Sequence, residues 1–433
     1  MSGTVTPILS VFPTRDLVDN KFKVMVENLP PGLPVTLHSL HQSEDKDYWE
    51  AYGQYVSDDR GTVTVSEDTS IGGTYTGKEP MGLLWSMRPV PGSRTGLRMR
   101  KMDIRIPMVV LISVYRGHVV EGFREQLPMA SVLTERWYMA PGVQRIDIRE
   151  GGVRGTLFIP PGPGPFPGLL DLWGGGGGLV EYRAALLASH GYVSMALEYL
   201  FTSADGIAEV GQLRYFEKAF TIIQEHPLVI SDRVGICGLS LGTAVTLTMA
   251  AYSNLISPRC CVCISGSHVV PAGKSIFHSF HKLMKNVHKV RVDEQNRMIW
   301  RDLILPIPSD SSGKVDVGRI KCPLLLVCGD DDQNWATVES AEDIAKMMRA
   351  AGNEHLLTTV TYHDAGHLIE PPYTPLSKAS TLRLAHTRQK MLVLWGGETK
   401  PHADAQEDSW EKILAFLRQH LYPCPSSAPQ AKL

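Results

Sequence analysis

Along the first 140 residues, apolar positions recur every second residue in short runs such as Phe22–Val26, Val35–Leu40, Gly61–Val65 and Met108–Val114. Turn-forming clusters separate the runs, among them Asn28-Leu29-Pro30-Pro31-Gly32 and Ile71-Gly72-Gly73. A period of two bounded by turns predicts half-buried antiparallel strands stacked as an all-β sandwich. The texture then changes. Strand-like runs (Val153–Pro160, Gly168–Trp173, Val193–Leu197, Val234–Cys237, Cys260–Ile264, Leu324–Cys328, Leu357–Tyr362) alternate with stretches of helical spacing at Tyr182–His190, Ile207–Glu225, Leu241–Tyr252 and Val338–Ala351. Strands apolar on both faces, with helices between them, predict a mostly parallel sheet covered on both sides. The closing stretch Ser409–Leu417 again has helical spacing and should dock on that sheet. Between Ile264 and Leu324 lies a long insertion without clear alternation, read as a lid or binding element.

Length sharpens this picture. A chain of 433 residues is too long for one ordinary core. The expected division is a β-sandwich over 1–140, an α/β domain over 141–422 and a flexible Pro/Ser-rich tail over 423–433. With 43 Lys+Arg against 45 Asp+Glu the net charge is -2, which argues against a nucleic-acid binder held by bulk positive charge. No apolar run approaches a membrane span, and the N-terminal residues show neither a secretory apolar core nor an Arg-rich transit helix. The seven cysteines are an odd count; Cys260, Cys261 and Cys263 fall in an apolar strand-like run and read as buried thiols, not as a metal site. No metal is expected, and the chain reads as intracellular and reduced. In the first 140 residues nothing resembles a catalytic constellation, and His38 and His118 read as surface or packing residues.

The candidate chemistry centres on Gly238-Leu239-Ser240-Leu241-Gly242, between the Val234–Cys237 strand and the Leu241–Tyr252 helix. A hydroxyl presented on so tight a turn needs glycine on both sides, because a side chain at 238 or 242 would meet the neighbouring strand or helix. Ser240 is therefore the candidate nucleophile; the competing reading is a structural turn. Five consecutive glycines, Gly174 to Gly178, follow the strand ending at Trp173. An N–H of Gly175 or Gly176, with that of Leu241, would form an oxyanion hole; the competing reading is a flexible linker. Asp330-Asp331-Asp332 follows the Leu324–Cys328 strand and Gly329, and Asp332 is preferred as the acid that orients a histidine. His367, preceded by glycine after the Leu357–Tyr362 strand, is the candidate base, and His363 reads as strand-end packing. The order Ser…Asp…His, each at a strand's C-terminal end, is that of an α/β-hydrolase.

These segments, with several others, resemble the type I acyl-CoA thioesterases and the related bile acid-CoA:amino acid N-acyltransferases over almost the full length. The carriers are Trp137-Tyr138-Met139-Ala140-Pro141-Gly142-Val143, Asp171-Leu172-Trp173-Gly174-Gly175 with Glu181-Tyr182-Arg183-Ala184, the serine turn, Asp331-Asp332-Gln333-Asn334-Trp335, Gly366-His367-Leu368-Ile369-Glu370-Pro371-Pro372-Tyr373 and Trp395-Gly396-Gly397-Glu398. The resemblance implies an α/β-hydrolase domain preceded by an immunoglobulin-like all-β sandwich domain. It places the nucleophile on Ser240, the acid on Asp332 and the base on His367. Gln333 departs from the pattern, where histidine is expected. The implied activity is hydrolysis of fatty acyl-CoA to free acid and CoA through an acyl-serine; the alternative is transfer of the acyl group to glycine or taurine. Acyltransferase members often carry cysteine at the nucleophile position, and an oxygen ester is less reactive toward amines than a thioester, so Ser240 favours water as acceptor. A catalytically silent binding module and a general carboxylesterase are further readings, disfavoured by the intact Ser, Asp and His and by the Asn-Trp and Glu-Pro-Pro-Tyr signatures. No cofactor is implied beyond CoA, which is part of the substrate. Between His268 and Val292 there is no acid, whereas Lys274, Lys282, Lys285, Lys289 and Arg291 are present. Lys285 and Lys289 are candidate contacts for CoA phosphates, against a solvated basic lid. Ala431-Lys432-Leu433 is similar to the Ser-Lys-Leu peroxisomal address, which implies an import receptor as partner and the peroxisome, with the cytoplasm as alternative.

Overall fold

The computed structural model describes residues 6–200, 212–269, 282–383 and 389–423. The expected tail beyond 423, with Ala431-Lys432-Leu433, lies outside them, as does Lys274. The chain divides into two units. Unit 1 comprises Met1–Ala140 with Glu370–Ser380 and Glu398–Glu407; unit 2 comprises Pro141–Ile369 with Thr381–Gly397 and Asp408–Leu433.

Unit 1 is all-β at its centre. One sheet joins Ile8–Phe12, Lys23–Glu27 and Val63–Thr64. The second runs Arg15–Leu17, Ala130–Trp137, Met108–Arg116, Pro34–Gln42, Tyr48–Val56, Arg88–Pro89. These pairs are antiparallel except Arg15–Leu17 with Ala130–Trp137, which are parallel. The alternation seen in the sequence closes one core between the sheets: Val24 and Val26 from the first meet Leu37, Ala51, Val110 and Ile112 from the second, all without solvent exposure. His38 is buried outside that core, beside a separate cluster of Tyr52, Tyr115 and Phe123, stacked on Phe123 at 4.0 Å and 2.9 Å from Glu50 Oε2. The two late segments belong to this unit through Tyr373 and Ala403, which enter its core, and through Gln406, whose amide bridges Glu370 N and Thr374 O. The expectation of two uninterrupted stretches, 1–140 and 141–422, misses this return because it depends on long-range burial and not on local pattern.

Unit 2 is built on eight strands: β1 Gln144–Ile148, β2 Arg154–Ile159, β3 Phe166–Leu172, β4 Val193–Glu198, β5 Val229–Leu239, β6 Cys261–Ile264, β7 Leu324–Gly329 and β8 Leu357–Tyr362. Their order is β1-β2-β4-β3-β5-β6-β7-β8, with β1–β2 and β2–β4 antiparallel and the rest parallel. Every residue of β6 and β7 is buried, as expected of strands covered on both faces. Helices α1 Tyr182–Ser189, α2 Leu213–Gln224, α3 Leu241–Tyr252, α4 Thr337–Ala350 and α5 Thr399–Leu421 follow in order, the last shared by the two units. From β3 the chain leaves through α1 to β4 on one side; from β5 it leaves through α3 to β6 on the other. The carboxyl ends of β3 and β5 therefore flank the point where strand order reverses, the favoured place for a site in such sheets.

Two expectations change in this unit. The insertion expected to act as a lid contributes to the core at both ends of 299–320, where Ile299, Trp300, Leu303, Ile304, Val315, Val317 and Ile320 are buried, while 305–313 between them are half-buried or exposed. It lacked alternation because it forms short 3-10 turns, at Arg301–Ile304 and Val317–Arg319, and no long element. The helix expected over Ile207–Glu225 is seen from Leu213; 201–211 lie outside the described residues.

Candidate active site

Leu172 on β3 pairs with Gly238 on β5, so the loops leaving the two strands start side by side. Ser240 stands between β5 and α3 with φ 57° and ψ -120°, a conformation rare for any residue but glycine. The neighbouring glycines make this turn sterically possible. A Cβ on Gly238 would lie 2.3 Å from Gly242 O, and one on Gly242 would lie 2.3 Å from Leu172 O.

Three candidates named from sequence form one hydrogen-bonded chain. Ser240 Oγ is 2.9 Å from His367 Nε2, and His367 Nδ1 is 2.8 Å from Asp332 Oδ2. All three are buried; Asp332 and His367 are each 1% exposed. Burying a carboxylate requires that its oxygens be matched. The second oxygen of Asp332 accepts the N–H groups of Asn334 at 2.8 Å and Trp335 at 2.9 Å, which also fixes which oxygen faces the histidine. The adjacent aspartates do other work. Asp331 accepts from Gly397 N at 2.7 Å and Gln333 Nε2 at 2.8 Å. Asp330 meets His363 Nδ1 at 2.8 Å on the surface. His363 is exposed, not packed at the strand end as expected; the Asp330 hydrogen bond and the charges of Asp364 and Asp330 raise its pKa.

Two tryptophans complete the surroundings of the serine and histidine. Trp335 Nε1 donates to Ser240 Oγ at 3.2 Å, and Trp395 stacks on the His367 ring at 5.5 Å with 16° between planes. Both fall within the signatures quoted from sequence, where neither has a task of its own. Trp335 carries a usable signal, lying three residues after the acid; Trp395 has none that a single sequence shows. Gln333 holds the turn and not the triad: its carbonyl accepts from Trp300 N and Arg301 N. Burial pushes the thiols of Cys237 and Cys328 up to about 12, so neither competes as a nucleophile beside the serine.

For the oxyanion hole, Leu241 opens α3, so its N–H has no intrahelical acceptor. On the β3 side, Gly174 abuts the serine: a Cβ there would lie 3.2 Å from Ser240 Cβ. Gly175 follows directly and is exposed, whereas Gly176 lies one peptide farther on, beside Leu382. The start of this loop is pinned from below. Buried Arg183 donates to Asp171 at 2.7 Å and to Leu172 O at 3.2 Å and lies over the Trp173 ring, while the Tyr199 hydroxyl donates to Trp173 O. Of the two candidate CoA contacts, Lys289 donates to Leu305 O at 2.7 Å, and Lys285 is exposed. Neither lysine is hydrogen-bonded to Ser240, His367 or Asp332, whose described partners lie on other loops.

Sheet order, the serine turn between β5 and α3, and the site residues at late strand ends together define an α/β-hydrolase domain preceded by an all-β domain. A family model described as Acyl-CoA thioester hydrolase/BAAT N-terminal region matches residues 19–150, and one described as BAAT / Acyl-CoA thioester hydrolase C terminal matches residues 211–423. The chain is 37% identical to the mouse peroxisomal succinyl-coenzyme A thioesterase, over 95% of this chain and 96% of that one. It is 36% identical to mouse acyl-coenzyme A thioesterase 5 (96% and 97%) and 35% identical to the mouse bile acid-CoA:amino acid N-acyltransferase (97% and 99%). The chain belongs to the acyl-CoA thioester hydrolase and bile acid-CoA:amino acid N-acyltransferase family.

Proposed function

We propose that the protein hydrolyses acyl-CoA thioesters, with Ser240 as nucleophile, His367 as general base and acid, and Asp332 as the group that orients His367. The observation that carries this reading is the continuous Ser240–His367–Asp332 hydrogen-bond chain at the switch point of the sheet. Ser240 Oγ attacks the thioester carbonyl carbon as its proton passes to His367 Nε2. The N–H groups of Leu241 and Gly175 stabilise the oxyanion that forms. Collapse breaks the C–S bond, and the imidazolium returns its proton to the departing CoA sulfur. Water then attacks the acyl-serine, giving up a proton to His367, and the acid leaves with Ser240 restored. Lys285, exposed on the basic stretch, is offered as a contact for CoA phosphate. The peroxisome is the proposed compartment, in keeping with the succinyl-CoA relative's name.

Transfer of the acyl group to an amine is the second reading, and the N-acyltransferase relative is its support. An acyl-serine is an oxygen ester, so water is the favoured acceptor. The test supplies acyl-CoA of several chain lengths with glycine and taurine present, quantifying CoA, free acid and amide. The reading expects acid and CoA in equal amounts, and their loss in Ser240→Ala, which keeps the fold. Amide as the main product selects the second reading, and turnover surviving in Ser240→Ala overturns both.

A further inference from the structure

The proposed hydrolysis breaks a different bond in each half. In the first half C–S breaks, and the departing group is an alkyl thiol, for which a pKa of about 8.5 sets the scale. In the second half the bond from the acyl carbon to Ser240 Oγ breaks. The departing group is then an alcohol oxygen, for which water's pKa of about 15.7 sets the scale. Oγ is therefore the poorer leaving group, and a hydrogen-bond donor aimed at it helps where its negative charge develops.

The site holds such a donor. Trp335 Nε1 lies 3.2 Å from Ser240 Oγ, and His367 Nε2 lies 2.9 Å from the same atom. An indole N–H donates and never accepts, which fixes the roles at Oγ. Its proton goes to His367, one lone pair takes the Trp335 N–H, and the other lone pair is left for the acyl carbon. The indole is held firmly in this position. The backbone N–H of Trp335 donates to Asp332 Oδ1 at 2.9 Å, on the turn that carries the triad acid, and its ring is buried in the core of unit 2. Helix α4 opens two residues later at Thr337, whose N–H donates to Trp335 O at 3.0 Å. A donor fixed in this way meets the charge without reorganising.

We propose that Trp335 is a catalytic residue of the second half-reaction, its N–H stabilising the charge that gathers on Ser240 Oγ as the acyl–oxygen bond breaks. The inference rests on Ser240 as nucleophile. Water gives a proton to His367 and adds to the acyl-serine carbonyl. On collapse the C–Oγ bonding pair goes to Oγ, His367 returns the proton there, and Trp335 keeps its own proton throughout. The first half gains less from the same contact, which the resting hydroxyl already makes, because its charge passes to the carbonyl oxygen and then to sulfur.

The test compares full-length wild type with Trp335→Phe and with a protein carrying 3-benzothienylalanine at position 335, which keeps the ring's shape and replaces the N–H by sulfur. Each is mixed with saturating acyl-CoA, quenched in acid and weighed intact by mass spectrometry, while CoA release gives kcat. The ratio of acylated to unacylated enzyme is the acylation rate constant over the deacylation rate constant, so with kcat it yields both. In both variants the deacylation constant should fall by about tenfold or more, with the acylation constant changed by less than about threefold. An unchanged ratio overturns the proposal, as does an equal fall in both constants, which lost packing alone would give. If Trp335→Phe does not fold, the isosteric protein decides. Peptide mapping of the wild-type adduct reports separately on the catalytic reading: an acyl group found elsewhere than on Ser240 overturns that reading and the inference with it.

Discussion

Asp332→Asn should lower kcat by about four orders of magnitude while the protein stays folded. The reason lies in the second oxygen of the carboxylate. It accepts two backbone N–H groups, from Asn334 at 2.8 Å and Trp335 at 2.9 Å, so in the variant the amide carbonyl must stay there. The amide NH2 then takes the place of Oδ2, which is 2.8 Å from His367 Nδ1. Two donors cannot face each other, so the imidazole moves its proton to Nε2. That nitrogen, 2.9 Å from Ser240 Oγ, can then no longer accept the serine proton. A loss of about 10⁴ corresponds to about 5.4 kcal/mol of transition-state stabilisation, at about 1.36 kcal/mol per tenfold. The neighbours are internal controls. Asp331→Asn loses one of two hydrogen bonds, about 1 kcal/mol of stability, with no change of tautomer. Asp330→Asn touches only the exposed His363 and its loop. The assay follows CoA thiol release at saturating acyl-CoA, with a melting curve for each variant. A larger loss at Asp331 than at Asp332, or an Asp332→Asn enzyme with a substantial part of its kcat, refutes the reasoning.

Gly238→Ala should damage both fold and site, because its Cβ would lie 2.3 Å from the Gly242 carbonyl, which cannot rotate away. Overpacking of this kind costs about 1–3 kcal/mol; unchanged melting together with unchanged fluorophosphonate labelling of Ser240 would contradict it. His268 gives a pH dependence. Burial lowers its pKa below the ordinary 6.5, although Asp343 opposes the shift. Below about pH 6.5 the unfolded chain therefore binds a proton that the folded chain refuses. The contribution is whole above that pH and is lost as pH falls toward the folded pKa. His268→Gln should flatten the fall in melting temperature between neutral and acidic buffer, and an unaltered slope would count against it.

Much of unit 2 was legible because its elements carry strong local signals. Helix α3 and strand β8 have the expected bounds, although β8, at the edge of the sheet, is half exposed and not covered on both faces as expected. Where the signal was mixed the bounds slipped. Strand β5 begins at Val229, but exposed Ser231 and Asp232 interrupt its apolar run, and only its buried second half reads as strand. Helix α5 spans Thr399–Leu421, yet the apolar spacing begins near Trp410. Pro401 near its start suggests a break to a sequence reader, although in a first turn its missing N–H costs nothing. The return of Glu370–Ser380 and Glu398–Glu407 to unit 1 has no local signature, since it is decided by partners hundreds of residues away.

The site divides along the same line. Ser240, Asp332 and His367 could be named because each follows a strand and stands near glycine, which marks a place where backbone comes close. Sequence preferred Asp332 among the three aspartates, but it could not supply what Asp330 and Asp331 do instead. Three identical carboxylates in a row differ only in what surrounds them: solvent and His363 for the first, Gly397 and Gln333 for the second, His367 and two backbone N–H groups for the third. Gln333 and the two N–H groups belong to the same turn, but His363, His367 and Gly397 come from the loop after β8 and from beside Trp395, far along the chain. A residue's type limits the chemistry open to it; the partners the fold brings determine which of three equal candidates can hold a histidine.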